Sequence, residues 1–321
     1  MPGLPRSGAA LRTLRFQAGA DTGQEYHPVD LAREANVDYR KQFVVEPGKK
    51  LQLKHVDPNF KGHHETHEKA VAELQHYCEK LARQQSLMYA DKKHALLIVL
   101  QALDAGGKDG TVNHVFASLN PQGASVTGFK QPTSLELEHD FLWRVHPHAP
   151  PKGWISIFNR SHYEDVLVTR VHKQIDKATC LRRYDRIRDF ESELLESGTT
   201  ILKFFLHISK EEQLARFEKR LDDPARNWKI SESDYSEREL WDDYIAAFED
   251  ALSATSIHQA PWYVIPANYK WFRNLAVSQI VSDTLEDLHM SFPKPTVDLA
   301  AIRRKYHAAV LKEKDQRASG K

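Results

Sequence analysis

Residues 95–111 read ALLIVLQALDAGGKDGT, and this stretch decides the fold. Its first part, residues 95–103, is a nearly continuous apolar run, which is typical of a strand buried on both faces of a parallel sheet. The run ends at Asp104, and glycines then flank Lys108 before a predicted helix. Glycine tolerates positive φ and lets backbone N–H groups approach an anion, and a helix N-terminus adds partial positive charge. The order of strand, glycine turn, lysine and helix therefore predicts a phosphate-binding loop.

The match of this loop to the P-loop pattern G-x-x-x-x-G-K-[ST] is incomplete. Ala102 stands where the pattern has its first glycine, and Asp109 stands where it has a hydroxyl residue. The structural alternative is an ordinary glycine turn between a strand and a helix that carries a surface lysine. The residues that follow the other strands decide between the two.

The composition limits the class of protein. The chain has 321 residues, enough for one large α/β domain with appendages or for two small domains. Its net charge of +1 argues against a general nucleic-acid binder. No apolar run approaches the ~20 residues that span a bilayer, so we expect no membrane partner. Cys78 and Cys180 lie far apart and form no metal or redox motif, which suits a reducing compartment and predicts a cytoplasmic protein.

Short apolar runs alternate with amphipathic stretches, which predicts a parallel sheet covered by helices on both faces. The predicted strands are 95–103, 124–129, 153–158, 200–208 and 262–266. The predicted helices are 67–87, 111–119, 134–145, 164–172, 181–197, 210–221, 237–254 and 270–288. Ligands bind at the carboxyl ends of the strands in such a sheet. We therefore expect chemistry after Phe158 and after Ile208.

The third predicted strand is followed by NRSHYED at residues 159–165. Asn159 can orient a metal-bound water, and Arg160 can bridge phosphate oxygens in a bidentate manner. The structural alternative is a helix cap, in which Ser161 and Glu164 form a capping box. Both interpretations use the same strand-to-helix turn, and its position at a strand end favours a phosphate site.

The fourth predicted strand is followed by a basic helix and then by residues 222–235, which lack clear periodicity. The basic residues of this region are Arg216, Lys219, Arg220, Arg226 and Lys229. The first three share one helix face, because they lie at positions i, i+3 and i+4. A solvated face of mixed charge is the structural alternative. The position of the segment favours a mobile basic lid that closes over phosphate and excludes water.

The two ends of the chain and one histidine-rich stretch carry less information. Residues 1–20 hold three arginines and no acid, which is compatible with a transit peptide, although a disordered start is the favoured interpretation. We interpret residues 24–62 as an irregular arm used for packing or oligomer contact. Residues 62–68, GHHETHE, miss the H-E-x-x-H spacing and are interpreted as a solvated helix start.

Together these motifs resemble the polyphosphate kinase type-2 family. The matching segments are 103–111 (LDAGGKDGT), 141–144 (FLWR), 158–168 (FNRSHYEDVLV), the lid helix, 262–267 (WYVIPA) and 270–274 (KWFRN). The resemblance covers about residues 40–290 in order. It implies an α/β protein with a P-loop-kinase-like three-layer α/β/α sandwich, a five-stranded parallel sheet and a helical lid at about 210–236. The implied domains are an N-terminal arm over 1–40, disordered or irregular, a catalytic domain over 41–292, and a C-terminal helix and tail over 293–321.

The resemblance also implies an activity. A family member transfers the terminal phosphoryl group of inorganic polyphosphate directly and in line to a nucleotide, with Mg²⁺ as the cofactor and Mn²⁺ as the alternative ion. Asn159, in place of an aspartate, is similar to the branch that phosphorylates AMP, or AMP and ADP. The expected partners are polyphosphate and AMP or ADP, and the expected assembly is a homodimer or homotetramer.

The expected roles follow from the charge neutralisation that phosphoryl transfer requires. Asp104 is expected to hold the metal, Lys108 to bridge the donor and acceptor phosphates, and Arg160 to hold the transferring group. The expected phosphate- and nucleotide-binding residues are Ala105, Gly106, Gly107, Asp109, Gly110, Thr111 and Asn159. The expected polyphosphate and lid residues are Arg144, Arg216, Arg220 and Lys229.

Two other functions are compatible with the motifs. One is an ATP-dependent nucleotide kinase of the thymidylate kinase type, against which the incomplete P-loop weighs slightly. The other is a non-catalytic protein that binds polyanions. An acid beside the glycine turn weighs against it, because Asp104 adds nothing to the binding of a polyanion.

Overall fold

Within residues 37–62 and 67–319, the parts that this computed structural model describes, five strands form one parallel sheet. The strands are β1 (Ala95–Gln101), β2 (Ala124–Gly128), β3 (Ile155–Asn159), β4 (Thr199–His207) and β5 (Trp262–Pro266). Their order across the sheet is β2-β3-β1-β4-β5. All five predicted strands and the parallel sheet are confirmed.

Strand β1 lies in the middle of the sheet, and every one of its residues is buried. Leu97, for example, lies between Ser156 of β3 and Ile201 of β4. The edge strand β2 has no fully buried residue, as suits a strand with one neighbour. Because all the strands run the same way, the ends of β1, β3 and β4 meet at one edge of the sheet, where a ligand is expected.

The described residues also form eleven α-helices, of which two groups cover the sheet. They are α1 (Tyr39–Phe43), α2 (His67–Asp91), α3 (Lys108–Val115), α4 (Ser134–Leu137), α5 (Glu164–Val171), α6 (Lys177–Glu196), α7 (Lys210–Leu221), α8 (Glu232–Glu239), α9 (Trp241–Thr255), α10 (Lys270–Glu286) and α11 (Leu299–Ser319). Helices α2, α3 and α10 pack together, as do α5, α6 and α9. Right-handed crossovers place α3 and the α5–α6–α9 group on opposite faces, because the chain leaves β1 towards one side and later crosses to the other. The three-layer α/β/α sandwich is thereby confirmed.

Two predicted helices differ from the structure. The one predicted over 134–145 ends at Leu137, because the Asp140 carboxylate accepts the N–H of Leu142 and Pro147 lies in the 3-10 turn that follows. The one predicted over 237–254 is two helices, α8 and α9. Helix α8 starts early because Ser231 and Asp234 form a capping box, and it ends at the residue before Leu240.

The described part of the predicted N-terminal arm packs onto the body of the protein. Residues 1–36, and residues 63–66 of the histidine-rich stretch, lie outside the described residues. Helix α1 contributes Tyr39 and Phe43 to an aromatic cluster around Phe272 of α10. The N–H of Val45 donates to the carbonyl of Trp262 in β5. Along the described segments, no helix combines the length and the apolar character needed to cross a membrane.

Candidate active site

The loop between β1 and α3 has the conformation of a phosphate cradle. Ala105 and Gly107 have positive φ, 58° and 105°, and the left-handed region costs a residue with a Cβ about 1–2 kcal/mol. A Cβ added to Gly106 would lie 2.5 Å from the Cβ of Ala102 and 2.9 Å from the carbonyl oxygen of Leu103. Ala102, which replaces the first P-loop glycine, therefore occupies the space that a side chain at position 106 would need. The predicted glycine turn is present, and it has two left-handed residues, Ala105 and Gly107.

Lys108 is the first residue of α3 and faces the cavity at the strand ends. Its Nζ donates to the carbonyl oxygen of Ala102 at 2.8 Å, so the amine folds back over the loop. Burial and the nearby charge of Arg160 lower the pKa of Lys108 to about 8. The amine is thus cationic at neutral pH, and a bound anion would hold its proton more firmly.

Arg160, directly after β3, lies next to Asp104, directly after β1. Its φ of 63° is unusual for a residue with a side chain, and its N–H donates to the carbonyl oxygen of Leu100 at 3.0 Å. Nη2 donates to Oδ1 of Asp104 at 3.0 Å, and Nη1 donates to Oε2 of Glu164 at 3.4 Å. Burial opposes the charged guanidinium, but Glu164 and Asp104 outweigh it and raise the pKa of Arg160.

The capping box proposed as the alternative at this turn does not form. The hydroxyl of Ser161 accepts the N–H of Tyr163 and an N–H of Gln101. The carboxylate of Glu164 lies against Arg160 instead of capping the helix. The side chains of this turn therefore hold the arginine at the cavity.

Asp109 joins three elements at the mouth of the cavity. Oδ1 accepts from Nδ2 of Asn159 at 2.8 Å, and Oδ2 accepts from Nζ of Lys229 at 3.2 Å. Burial alone would raise the pKa of Asp109, but these hydrogen bonds and the charge of Lys229 lower it. A charged Asp109 thus links the end of β3 and the segment after α7 to the phosphate loop.

Arg216 of α7 is buried, and its guanidinium donates hydrogen bonds to backbone carbonyl oxygens of the loop and of the segment after β5. Nη1 donates to the carbonyl oxygen of Ala105 at 2.8 Å, and Nη2 donates to the carbonyl oxygens of Ala267 and Asn268 at 2.5 and 3.1 Å. Nε donates to Oε1 of Glu212 at 2.7 Å. These contacts engage the guanidinium with the protein, so Arg216 stabilises the loop. Its predicted contact with polyphosphate stays a prediction.

These residues surround a cavity of about 750 Å³. Among the described residues, ten cationic side chains line it, against two acids, Asp104 and Asp109. The ten are Lys108, Lys130, Arg160, Arg216, Lys219, Arg220, Arg226, Lys229, Lys270 and Arg273. An excess of this size suits a ligand that carries many negative charges, because a cleft lined by one sign of charge concentrates the field.

The structure brings most of the predicted site residues to this cavity. Those that line it are Asp104, Ala105, Gly106, Gly107, Lys108, Asp109, Gly110, Asn159, Arg160, Arg216, Arg220 and Lys229. Two predicted residues lie elsewhere. Thr111 is fully buried, and its hydroxyl donates to the carbonyl oxygen of Gly107 at 3.2 Å, so it supports the loop from within.

Arg144 is the other predicted residue that does not line the cavity. Its Nη2 donates to the carbonyl oxygen of Lys130 at 2.7 Å, and its Nη1 lies 3.4 Å from a carboxylate oxygen of Glu136. The guanidinium also stacks over the ring of Phe129 at 5.3 Å. Arg144 therefore holds the segment after β2 in place, and its contact with polyphosphate stays a prediction.

Several lining residues were not predicted from the sequence, among them two groups that follow the outer strands. Phe129, Lys130 and Gln131 follow β2, while Lys270 and Arg273 lie in the first turn of α10, shortly after β5. The rule that ligands bind at strand ends was applied to β1, β3 and β4 alone. The same rule, applied to the two outer strands, would have found both groups.

Comparisons with known proteins show which family the chain belongs to. Residues 63–293 match the model of the family described as Polyphosphate kinase 2 (PPK2). The chain is 50% identical over 259 residues to an AMP/ADP-polyphosphate phosphotransferase of Meiothermus ruber, across 79% of this chain and 96% of that protein. It is 44% identical over 272 residues to an ADP-polyphosphate phosphotransferase of Rhodopseudomonas palustris, across 80% of this chain and 93% of that protein.

Solved structures show the same relationship. The crystal structure of Polyphosphate Kinase 2 from Arthrobacter aurescens TC1 superposes with a TM-score of 0.81 at 42% identity, covering 86% of this chain and 97% of that one. A putative polyphosphate kinase 2 from Pseudomonas aeruginosa superposes with a TM-score of 0.69 at 31% identity, covering 79% of this chain and 52% of that one. Sequence and fold agree, and the chain belongs to the polyphosphate kinase 2 family of phosphotransferases.

Proposed function

We propose that this protein transfers the terminal phosphoryl group of inorganic polyphosphate to a nucleotide, converting AMP into ADP and ADP into ATP. The observation that carries the proposal is the cavity at the strand ends, where Asp104, Lys108 and Arg160 converge and where the described lining residues include ten cations and two acids. The names of the relatives from Meiothermus ruber and Rhodopseudomonas palustris support the same pair of substrates.

The chemistry of the acceptor explains why cations dominate the cavity. The second pKa of a phosphate monoester is about 6, so the acceptor is already an anionic nucleophile at neutral pH. The site therefore needs no strong general base. Its task is to hold two polyanions in line and to neutralise their mutual repulsion, which supports direct transfer within one cavity.

We assign three roles within this cavity. Lys108 bridges the donor and acceptor phosphates, because its amine lies at the start of α3 over the phosphate loop. Arg160 holds the transferring group with its planar fork, and Asp104 fixes the orientation of that fork. Asp109 and Lys229 hold the lid, which we place at residues 210–236, against the loop.

We propose Mg²⁺ as the cofactor, with Mn²⁺ as the alternative ion. Among the residues with described positions, no group of three or more metal-ligating side chains exists. Mg²⁺ fits such a site, because it is usually held by one or two carboxylates together with substrate phosphates. The Asp104 side chain is 33% exposed and lines the cavity, so it is the carboxylate that would hold the ion. A bound Mg²⁺ neutralises charge on phosphate oxygens.

Chromatographic analysis of the nucleotide products tests the proposed function. Purified protein is incubated with Mg²⁺, long-chain polyphosphate and either AMP or ADP, and in parallel with ATP as the only donor. We expect ADP from AMP and ATP from ADP with polyphosphate. If polyphosphate yields ADP from AMP but no ATP from ADP, the acceptor of the protein is a nucleoside monophosphate only. Turnover with ATP but not with polyphosphate would leave an ATP-dependent nucleotide kinase, and binding of polyphosphate without turnover would leave a non-catalytic binder.

The pKa of Lys108 predicts an alkaline limit to the activity. Because this pKa is lowered to about 8, the amine of the free enzyme is charged below that pH and loses its proton above it. We expect kcat/KM, which reports the free enzyme, to fall as the pH rises through about 8. We expect kcat to fall only at higher pH, because bound phosphate favours the charged amine. Lys108→Arg, whose guanidinium stays charged, is the control that should move the limit upward. A kcat/KM profile without an alkaline limb would contradict the assignment.

A further inference from the structure

Arg273, near the start of α10, fills a slot behind the phosphate loop. The residue is 2% exposed, yet it reaches the wall of the cavity. A Cβ added to Gly107 would lie 1.9 Å from Nη1, and one added to Gly110 would lie 3.1 Å from Nη2. The two glycines therefore leave the room that the guanidinium occupies, and Gly110 lies outside the P-loop pattern that sequence reasoning used.

The charge of Arg273 has no counterion within the described segments of the protein. Its Nε and Nη2 donate to Oδ1 of Asn274 at 3.1 and 2.8 Å, and this acceptor is a neutral amide. The neighbouring Arg216, by contrast, pairs with Glu212 at 2.7 Å. Burial and the charge of Arg216 lower the pKa of Arg273 to about 9.

A buried cation without a paired anion destabilises a folded protein. A purely structural arginine would be expected to have a carboxylate or several carbonyl oxygens around it, as Arg216 has. Arg273 instead leaves Nη1 without a hydrogen-bond acceptor among the residues 37–62 and 67–319, at the wall of a cavity that is strongly cationic. An anionic ligand bound in the cavity would compensate this charge.

We propose that Arg273 is a phosphate-binding residue, whose Nη1 donates to an oxyanion of the phosphate chain held by the loop at residues 106–110. The inference rests on the proposed function for the identity of that chain, which is either inorganic polyphosphate or the phosphates of the nucleotide. Such a charge-assisted hydrogen bond in a preorganised slot binds the ligand without a rearrangement of the loop.

The test compares Arg273→Gln with the wild-type protein in thermal unfolding and kinetics. Unfolding is followed alone, with long-chain polyphosphate, and separately with ADP. We expect the Tm of the unliganded variant to be no lower than that of the wild type, because an uncompensated charge is removed. We expect one of the two ligands to stabilise the variant less, and the KM of that ligand to rise about 10- to 100-fold, as for other lost hydrogen bonds to charged groups. The affected ligand identifies which phosphate chain Arg273 holds.

Two further variants keep the test decisive. Arg170→Gln is the matched control, because Arg170 pairs with Asp250 at 2.7 Å and lies outside the cavity. We expect it to lower the Tm slightly and to leave both KM values unchanged. Arg273→Lys retains the charge and is expected to recover part of the lost affinity. If Arg273→Gln lowers the unliganded Tm and changes neither KM, Arg273 is structural and the inference fails. The proposed function is tested separately, by the turnover of the wild-type protein.

Discussion

Replacing Lys108 with alanine is expected to lower kcat/KM for phosphoryl transfer from polyphosphate by about 10³-fold or more, with the fold intact. The amine folds back over the loop, since its Nζ donates to the carbonyl oxygen of Ala102 at 2.8 Å. Without this amine, the repulsion between the donor and acceptor phosphates is neutralised less completely. The measurement is the initial rate of nucleotide formation, with the Tm as the check on folding.

Lys93→Ala is the matched control for this prediction. Lys93 lies just before the N-terminal end of β1, whereas the site lies at the carboxyl ends of the strands, and the side chain of Lys93 is 74% exposed. Its removal should change the rate less than about twofold, because surface charges far from a site act weakly. Near-normal activity of Lys108→Ala would contradict the assigned role.

Asp104→Asn is expected to lower kcat by about 10²- to 10³-fold, the range for the loss of one preorganised electrostatic group. The substitution keeps the shape of the side chain and removes the charge that holds Arg160 at 3.0 Å. It also removes the proposed carboxylate ligand of Mg²⁺. We therefore expect the Mg²⁺ concentration for half-maximal rate to rise together with the fall in kcat.

A titration of the rate against Mg²⁺ measures both effects of this substitution. Asp185→Asn is the control, since Asp185 is an exposed residue of α6 that pairs with Arg188 on the same helix. The control should leave both the rate and the Mg²⁺ requirement unchanged. A normal Mg²⁺ requirement in Asp104→Asn would separate Asp104 from the metal, and a normal kcat would remove it from the machinery altogether.

The sequence was a good guide to the strands and to the loop between β1 and α3. Strand β1 is buried on both faces and is apolar from Ala95 to Leu100, so it can be recognised without knowing its neighbours. The convergence of Asp104 and Arg160 followed from one topological rule, because adjacent parallel strands end at the same edge. Such features depend on local composition and on a general property of parallel sheets.

The sequence was a poorer guide to the side chains that line the cavity. Arg144 and Arg273 are both arginines within motifs that the family resemblance included, and nothing in their local sequence separates their roles. Arg144 is held by Glu136 and Lys130, whereas Arg273 has no acidic partner among the residues described in the structure. That difference depends on how distant segments pack.

The amino-acid sequence by itself thus determined the α/β architecture, the phosphate loop, the family and the class of reaction. Only the tertiary structure decided that Thr111 and Arg144 donate to backbone carbonyl oxygens and do not line the cavity, and that Arg273 has no acidic partner among the residues that the structure describes. The physical reason is the range of the forces involved. Strand formation and glycine turns depend on neighbours along the chain, whereas the neutralisation of a buried charge depends on residues that folding brings together from far apart.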